Sequence, residues 1–135
     1  MDFGNNTEPK ENFVLFEKII YDRGSKYSVS YGRVENREDI KQFLKKLKSN
    51  KKYQKATHNS WAAVISKDNI LYETKSDDGE TGAGNVILSN IKKNNMVNIV
   101  VCVTRWFGGV KLQSDRFKHL QDATLFAIRK AKENQ

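Results

Sequence analysis

VNIVVCVTRWFGGVKL, Val97–Leu112, is the stretch on which the fold turns. Its first half, Val97–Val103, is almost continuously apolar and β-branched. A strand with one wet face alternates, whereas a nearly unbroken apolar run is covered on both faces. Val97–Val103 is therefore expected at the centre of a sheet. The character changes at Arg105, a fixed cation with a fork of donors, and Gly108-Gly109 then permits a turn that approaches a neighbour closely. Trp106 and Phe107 are adjacent and point opposite ways in extended chain, so at least one belongs to the core.

The flanking segments supply the rest of an interleaved pattern. FVLFEKII at Phe13–Ile20 reads as a strand, and YSVSYGRV at Tyr27–Val34 alternates as a half-buried strand does. Asn36, with Asp39 three residues on, opens a helix whose stripe is Ile40, Phe43, Leu44 and Leu47, ending near Ser49–Asn50. SWAAVI and ILYE flank the short turn KDN and form a hairpin. Asn85–Asn94 reads as a short helix with Val86, Ile87 and Ile91 inward. A last helix follows Ser114 as cap, with the stripe Phe117, Leu120, Thr124, Ile128 and Ala131. The expected architecture is one α+β domain, a two-layer sandwich at 13–135, behind a disordered tail at 1–12.

The 135 residues suit a single core. At 38% apolar and 30% charged the composition is that of a globular protein, and no apolar run is long enough to cross a bilayer. The first twelve residues have no hydrophobic stretch of the kind a secretory signal needs. Cys102 is the only cysteine, which excludes an internal disulfide and suits the cytoplasm. A net charge of +8 favours acidic partners; joint lysine and asparagine enrichment offers compositional bias as the alternative.

Asp77–Gly84, DDGETGAG, places three carboxylates and three glycines in eight residues. It lacks the Lys-Ser/Thr of a P-loop, the third glycine of a dinucleotide fingerprint and the ligand spacing of an EF-hand. Two readings remain. Asp77, Asp78 and Glu80 hold magnesium, or they accept hydrogen bonds from the loop and the following helix while the glycines supply positive φ. The second is preferred, and with it a cleft in which Arg105 pairs with one of these carboxylates. His58 is a candidate general base, and with the three carboxylates would form a metal-assisted hydrolase. His119 stands one turn after Asp115 and is expected to pair with it. Lys45, Lys48, Lys51 and Lys52, with Tyr53 among them, are nucleic-acid candidates; a solvated helix face is the plainer reading. No cofactor is indicated.

DRGSKY at Asp22–Tyr27, KATHNSWAA at Lys55–Ala63, DDGETGAG, and VTRWFGGVKL with the following DRFKHL together resemble the IMPACT family of eukaryotes and its bacterial YigZ-like relatives. DRFKH and ETGAG are similar to the eukaryotic branch. The resemblance runs from about Phe16 to Arg129. It implies a mostly antiparallel four-stranded sheet with helices on one face and a left-handed βαβ unit, like domain four of elongation factor G. It also implies no enzyme activity, but a cytoplasmic role in translational control and the stress response, restraining the general-control kinase that phosphorylates the initiation factor by competing for its ribosome-associated activator. Another translation factor, RNA and actin are further partners it implies, and a membrane is not.

The motif residues expected to bind are His58, Asp77, Asp78, Glu80, Arg105, Trp106, Gly108, Gly109, Lys111, Asp115 and Arg116. Family members also carry an N-terminal RWD domain that makes much of the contact with the activator, so that contact is expected from a longer protein or not at all. Gln113 stands where the family commonly has glycine.

Overall fold

The computed structural model describes residues 6–134. In chain order the elements are β1 (Val14–Asp22), β2 (Ser25–Arg33), α1 (Arg37–Lys48), α2 (Lys51–Gln54), β3 (His58–Lys67), β4 (Ile70–Ser76), α3 (Ala83–Lys93), β5 (Ile99–Trp106) and α4 (Asp115–Glu133). The strands form one sheet in the order β1-β2-β5-β3-β4, every neighbouring pair antiparallel.

The apolar run has the expected central place. β5 pairs with β2 from Lys26↔Trp106 to Arg33↔Ile99, and with β3 from His58↔Arg105 to Val64↔Ile99. Its residues Ile99–Arg105 are all buried. Ile99, Val101 and Val103 join Tyr27, Val29, Tyr31 and Val64 under α3 and α4. Val100 and Cys102 face the other way, with Ala63 and Ile65, toward Ile40, Phe43 and Leu47 of α1 and Tyr53 of α2. Burial pushes the Cys102 thiol up to about 12, so it packs as a small apolar group.

The α+β class holds, with two corrections of detail. The sheet has five strands, not four, and helices cover both of its faces, giving three layers instead of two. The physical reason lies in β5 itself: a strand apolar on both sides needs a cover on each. The left-handed unit follows from the same arrangement. β2 reaches β3 through α1 and α2, and β4 reaches β5 through α3, each crossing one intervening strand. The two crossovers have the same sense in the sheet but lie on opposite faces, so they have opposite hands. One is left-handed, against the usual right-handed rule.

Local chemistry sets the turns. Arg23 and Gly24 between β1 and β2, and Asp68 and Asn69 between β3 and β4, all have positive φ, as two-residue hairpin turns require. Asn36 caps α1 by accepting from the Asp39 N–H at 2.8 Å. Ser114 does not cap α4: its own backbone is helical (φ −67°, ψ −21°), and its side chain makes no capping bond. Of the expected disordered tail, residues 1–5 lie outside the described part, while the remainder is tied down. Thr7 exchanges backbone hydrogen bonds with Asn95 and Val97, Glu11 accepts from the Arg33 N–H, and Pro9 is buried. The segment satisfies backbone groups next to β5 and at the end of β2 that would otherwise be unpaired.

β5 runs into a close contact at its far end. A Cβ placed on Gly108 would lie 2.0 Å from the carbonyl carbon of Gly24, whereas at Gly109 there is open space but φ is +92°. Gly108→Ala is therefore expected to destabilise by about 1–3 kcal/mol through overpacking. Gly109→Ala is expected to cost more than the ~0.4–1 kcal/mol scale of a compatible site, through strain alone. Urea unfolding of both variants checks this, and two wild-type midpoints would contradict it.

Candidate functional site

Four loops meet where β5 ends. They are the β1–β2 turn at 22–25, the start of β3 at 57–59, the acidic loop at 77–82, and the segment 105–116 that leads into α4. These are the stretches quoted above for their motifs, and the antiparallel registers bring them together: Arg105 lies between Tyr27 on β2 and His58 on β3.

Each carboxylate of the acidic loop has its own partner. Asp77 accepts from the N–H groups of Gly82 (3.0 Å) and Gly84 (2.8 Å), which hold its carboxyl below the usual range. It thereby serves the N-terminus of α3, whose capping residue Gly82 has no side chain to do so. Asp78 accepts from the Asn59 N–H at 2.7 Å, and its carbonyl lies 2.8 Å from His58 Nδ1. Glu80 is buried and accepts from Arg105 Nη1 at 2.6 Å. Asp78, Gly79 and Gly82 all have positive φ, so the glycines here serve the turn. The carboxylates do not converge with His58 on one point, so the hydrolase arrangement does not form.

Arg105 is the centre of the site. Its side chain is 6% exposed against 3% for Glu80. Nη2 donates to Ser25 Oγ at 3.3 Å, which also accepts from the Gly108 N–H at 3.2 Å. Arg116 Nη1 lies 3.6 Å from the same Glu80 oxygen and donates to the Thr81 carbonyl at 3.0 Å. Arg105 Nε, Glu80 Oε1 and the Tyr27 hydroxyl are buried with no hydrogen-bond partner among the described residues. Burial pushes the Tyr27 hydroxyl up to about 12. A cleft of about 690 Å³ opens beside this pair, lined by His58, Glu80, Arg105, Phe107, Lys111 and Arg116 among others.

A second network flanks it. His119 Nε2 is 2.7 Å from Asp22 Oδ2, and Arg23 bridges Asp22 and Asp115. The expected His119–Asp115 pair is not made, because Arg23 takes Asp115 and His119 turns to the β1–β2 turn. Arg23 and His119 together hold the Asp22 carboxyl well below the usual range.

His58, Glu80, Arg105, Lys111 and Arg116 thus share one cleft, while Asp77, Asp78, Gly108 and Gly109 belong to the loops that carry it and Asp115 pairs with Arg23 in the flanking network. Trp106 is elsewhere. Its indole donates to the Lys52 carbonyl at 3.1 Å and meets the Tyr53 ring at 5.0 Å, on the α1–α2 face. Tyr53 offers no surface to a base: it is fully buried, with its hydroxyl on Ser28 Oγ at 3.1 Å, because α2 has no other apolar residue to anchor it. Lys45, Lys48, Lys51 and Lys52 are exposed. Ser25, Tyr27 and Phe107 were missed as site residues, although DRGSKY and RWFGG contain them.

The chain matches the Impact N-terminal domain family over residues 23–128. Protein IMPACT-B of Xenopus tropicalis is 40% identical over 106 residues, 76% of this chain and 33% of that protein. The IMPACT homolog of Saccharomyces cerevisiae is 35% identical over 127 residues, 93% of this chain and 49% of that protein. Among solved structures, the two-domain translational regulator Yih1 superposes with a TM-score of 0.62 at 34% identity, covering 96% of this chain and 51% of that one. A hypothetical protein at 20% identity superposes with a TM-score of 0.67 over 92% of this chain and shares the fold. This chain belongs to the IMPACT family. It spans between a third and a half of these two named relatives.

Two outcomes are expected. Arg105→Ala leaves the buried Glu80 with only the longer Arg116 contact at 3.6 Å, and should cost about 3–5 kcal/mol in chemical unfolding. The paired replacement Arg105→Met with Glu80→Leu should recover most of that loss; a single variant as stable as wild type would show that the pair is not needed. The second outcome concerns acid. The Asp77 carboxyl is depressed in the folded state, so its stabilisation is fully present above its ordinary value of 3.8 and is lost as pH falls through the lower folded value. The stability gap between wild type and Asp77→Asn should therefore shrink as pH is lowered from 5 toward 2. A gap that stays constant would contradict the assignment.

Proposed function

We propose that this domain is a non-catalytic binding module in cytoplasmic translational regulation, and that it works through the loop end of the sheet. The observation that supports this is the convergence: four of the family's motifs line one cleft built on the Arg105–Glu80 ion pair, and the fifth, DRGSKY, braces it through Ser25. A carboxylate held by a guanidinium is poorly placed to move protons, and a cleft lined by half-exposed Phe107 suits recognition. The regulatory character of Yih1 and the family's role support translation as the setting. The partner class is the ribosome-associated activator of the general-control kinase, or a translation factor of similar surface.

A second reading has its own observation. Seven lysines, at 41, 45, 46, 48, 51, 52 and 55, stand exposed along α1 and α2, and among the described residues none makes an ion pair with a carboxylate. RNA is the partner such a face would favour.

Both are tested by adding the domain to a cytosolic extract in which the general-control kinase is active. The activator should coprecipitate with the domain before and after nuclease treatment, and phosphorylation of the initiation factor should fall. Coprecipitation that nuclease abolishes would transfer the function to RNA. Its affinity should then drop with salt, with a log–log slope of about −0.7 per phosphate contacted on a single strand. The absence of both coprecipitation and any change in phosphorylation would overturn the first reading.

A further inference from the structure

The positive charge of the chain is not concentrated where the cleft is. At the loop end, Asp22, Asp77, Asp78, Glu80 and Asp115 stand among Arg23, Lys26, Lys75, Arg105, Lys111 and Arg116, so charges of both signs are interleaved there. A polyanion laid across this end meets repulsion at several points. Inside the cleft cations predominate. Arg105, Arg116 and Lys111 face a single carboxylate, Glu80, and one oxygen of Glu80 is shared by both guanidiniums. Arg116 commits only Nη1, and its flat face lies on the Phe117 ring at 4.3 Å, which fixes its direction. Lys111 is exposed and forms no ion pair among the described residues. Phe107, 47% exposed, lines the cleft beside Arg105, and Val110, equally exposed, adjoins Lys111 in the chain.

We propose that the cleft receives one carboxylate side chain from an extended acidic–apolar segment of a partner polypeptide. Arg116 and Lys111 hold the carboxylate, and Phe107 and Val110 take the apolar side chain beside it. A guanidinium with free donors matches a planar carboxylate. The ring of neighbouring acids restricts the ligand to isolated charges, which is how a site rejects a wrong partner. This rests on the reading of the domain as a protein-binding module and names the chemistry that module recognises.

The test is a random heptapeptide library displayed on phage and selected on the immobilised domain, followed by fluorescence anisotropy with the selected peptides made synthetically. The selected sequences should share an Asp or Glu beside a large apolar residue. Replacing that acid by its amide should weaken binding roughly tenfold or more, the scale of losing a charged partner in a desolvated site. Lys111→Gln, at an exposed position that the fold does not need, should weaken binding, and Arg116→Gln should weaken it further. Selected peptides without a carboxylate, amide peptides that bind equally well, no selection at all, or affinity indifferent to both substitutions would each overturn the proposal. So would displacement of the peptides by oligouridylate from wild type but not from Lys111→Gln. Coprecipitation of the activator by the Lys111→Gln, Arg116→Gln double variant separates the two levels. If it persists while the peptide result fails, the binding-module reading stands and this cleft chemistry falls.

Discussion

The contact between Arg105 and Glu80 governs how the rest of the loop end is assembled. A guanidinium at the end of the central strand and a carboxylate on a glycine-rich loop are both almost wholly removed from water. Neither is tolerable there alone, so each holds the other in place. Once Glu80 is fixed, the loop has only short reaches left. Asp77 falls on the N-terminus of α3, Asp78 on the first residues of β3, and Arg116 on the loop carbonyl of Thr81. The β1–β2 turn joins through Ser25, whose hydroxyl serves Arg105 and the Gly108 N–H together. Replacing such a pair by apolar side chains is often neutral for stability. Its presence here goes with a cleft that must stay polar and open beside a closed core.

Much of this was legible in the residues, and the reasons differ from element to element. The unbroken apolar run gave away β5 because only a doubly covered strand tolerates it. The five strand-like segments and the helix capped by Asn36 followed from period and capping chemistry. An ion pair between Arg105 and the acidic loop was expected because a strand end and a loop before a helix reach the same edge. Other features were hidden. A sheet with helices on one face was expected from resemblance, although the β5 pattern already demanded two covers. His119 looked like a neighbour of Asp115 because spacing along a helix is visible and a hairpin turn arriving from 97 residues away is not. Tyr53 among lysines was a nucleic-acid candidate; whether an aromatic residue in a basic stretch faces in or out depends on tertiary packing.

Gln113 illustrates the same limit in reverse. It takes the place where the family commonly has glycine, and its φ is +57°. The preference for glycine is thus explained by backbone conformation, since a left-handed residue with a side chain carries a strain of about 1–2 kcal/mol. The chain keeps that conformation, and with it the path from the Arg105 end of β5 into α4, without the residue that makes it easy.

The central strand of the sheet is also the last strand in the sequence. β2 and β3 never touch as partners; each pairs with β5 from opposite sides. During synthesis the β1–β2 and β3–β4 hairpins are complete while the residues between them and the exit tunnel are still α3 and the start of β5. Until Trp106 has emerged, the nascent chain holds two hairpins with open edges and no sheet. Long-range pairing of this kind is slow, and open edges are what molecular chaperones recognise and what aggregation exploits. The order of the strands along the chain therefore leaves closure of the sheet to β5, whose insertion also brings the loops around Arg105 together.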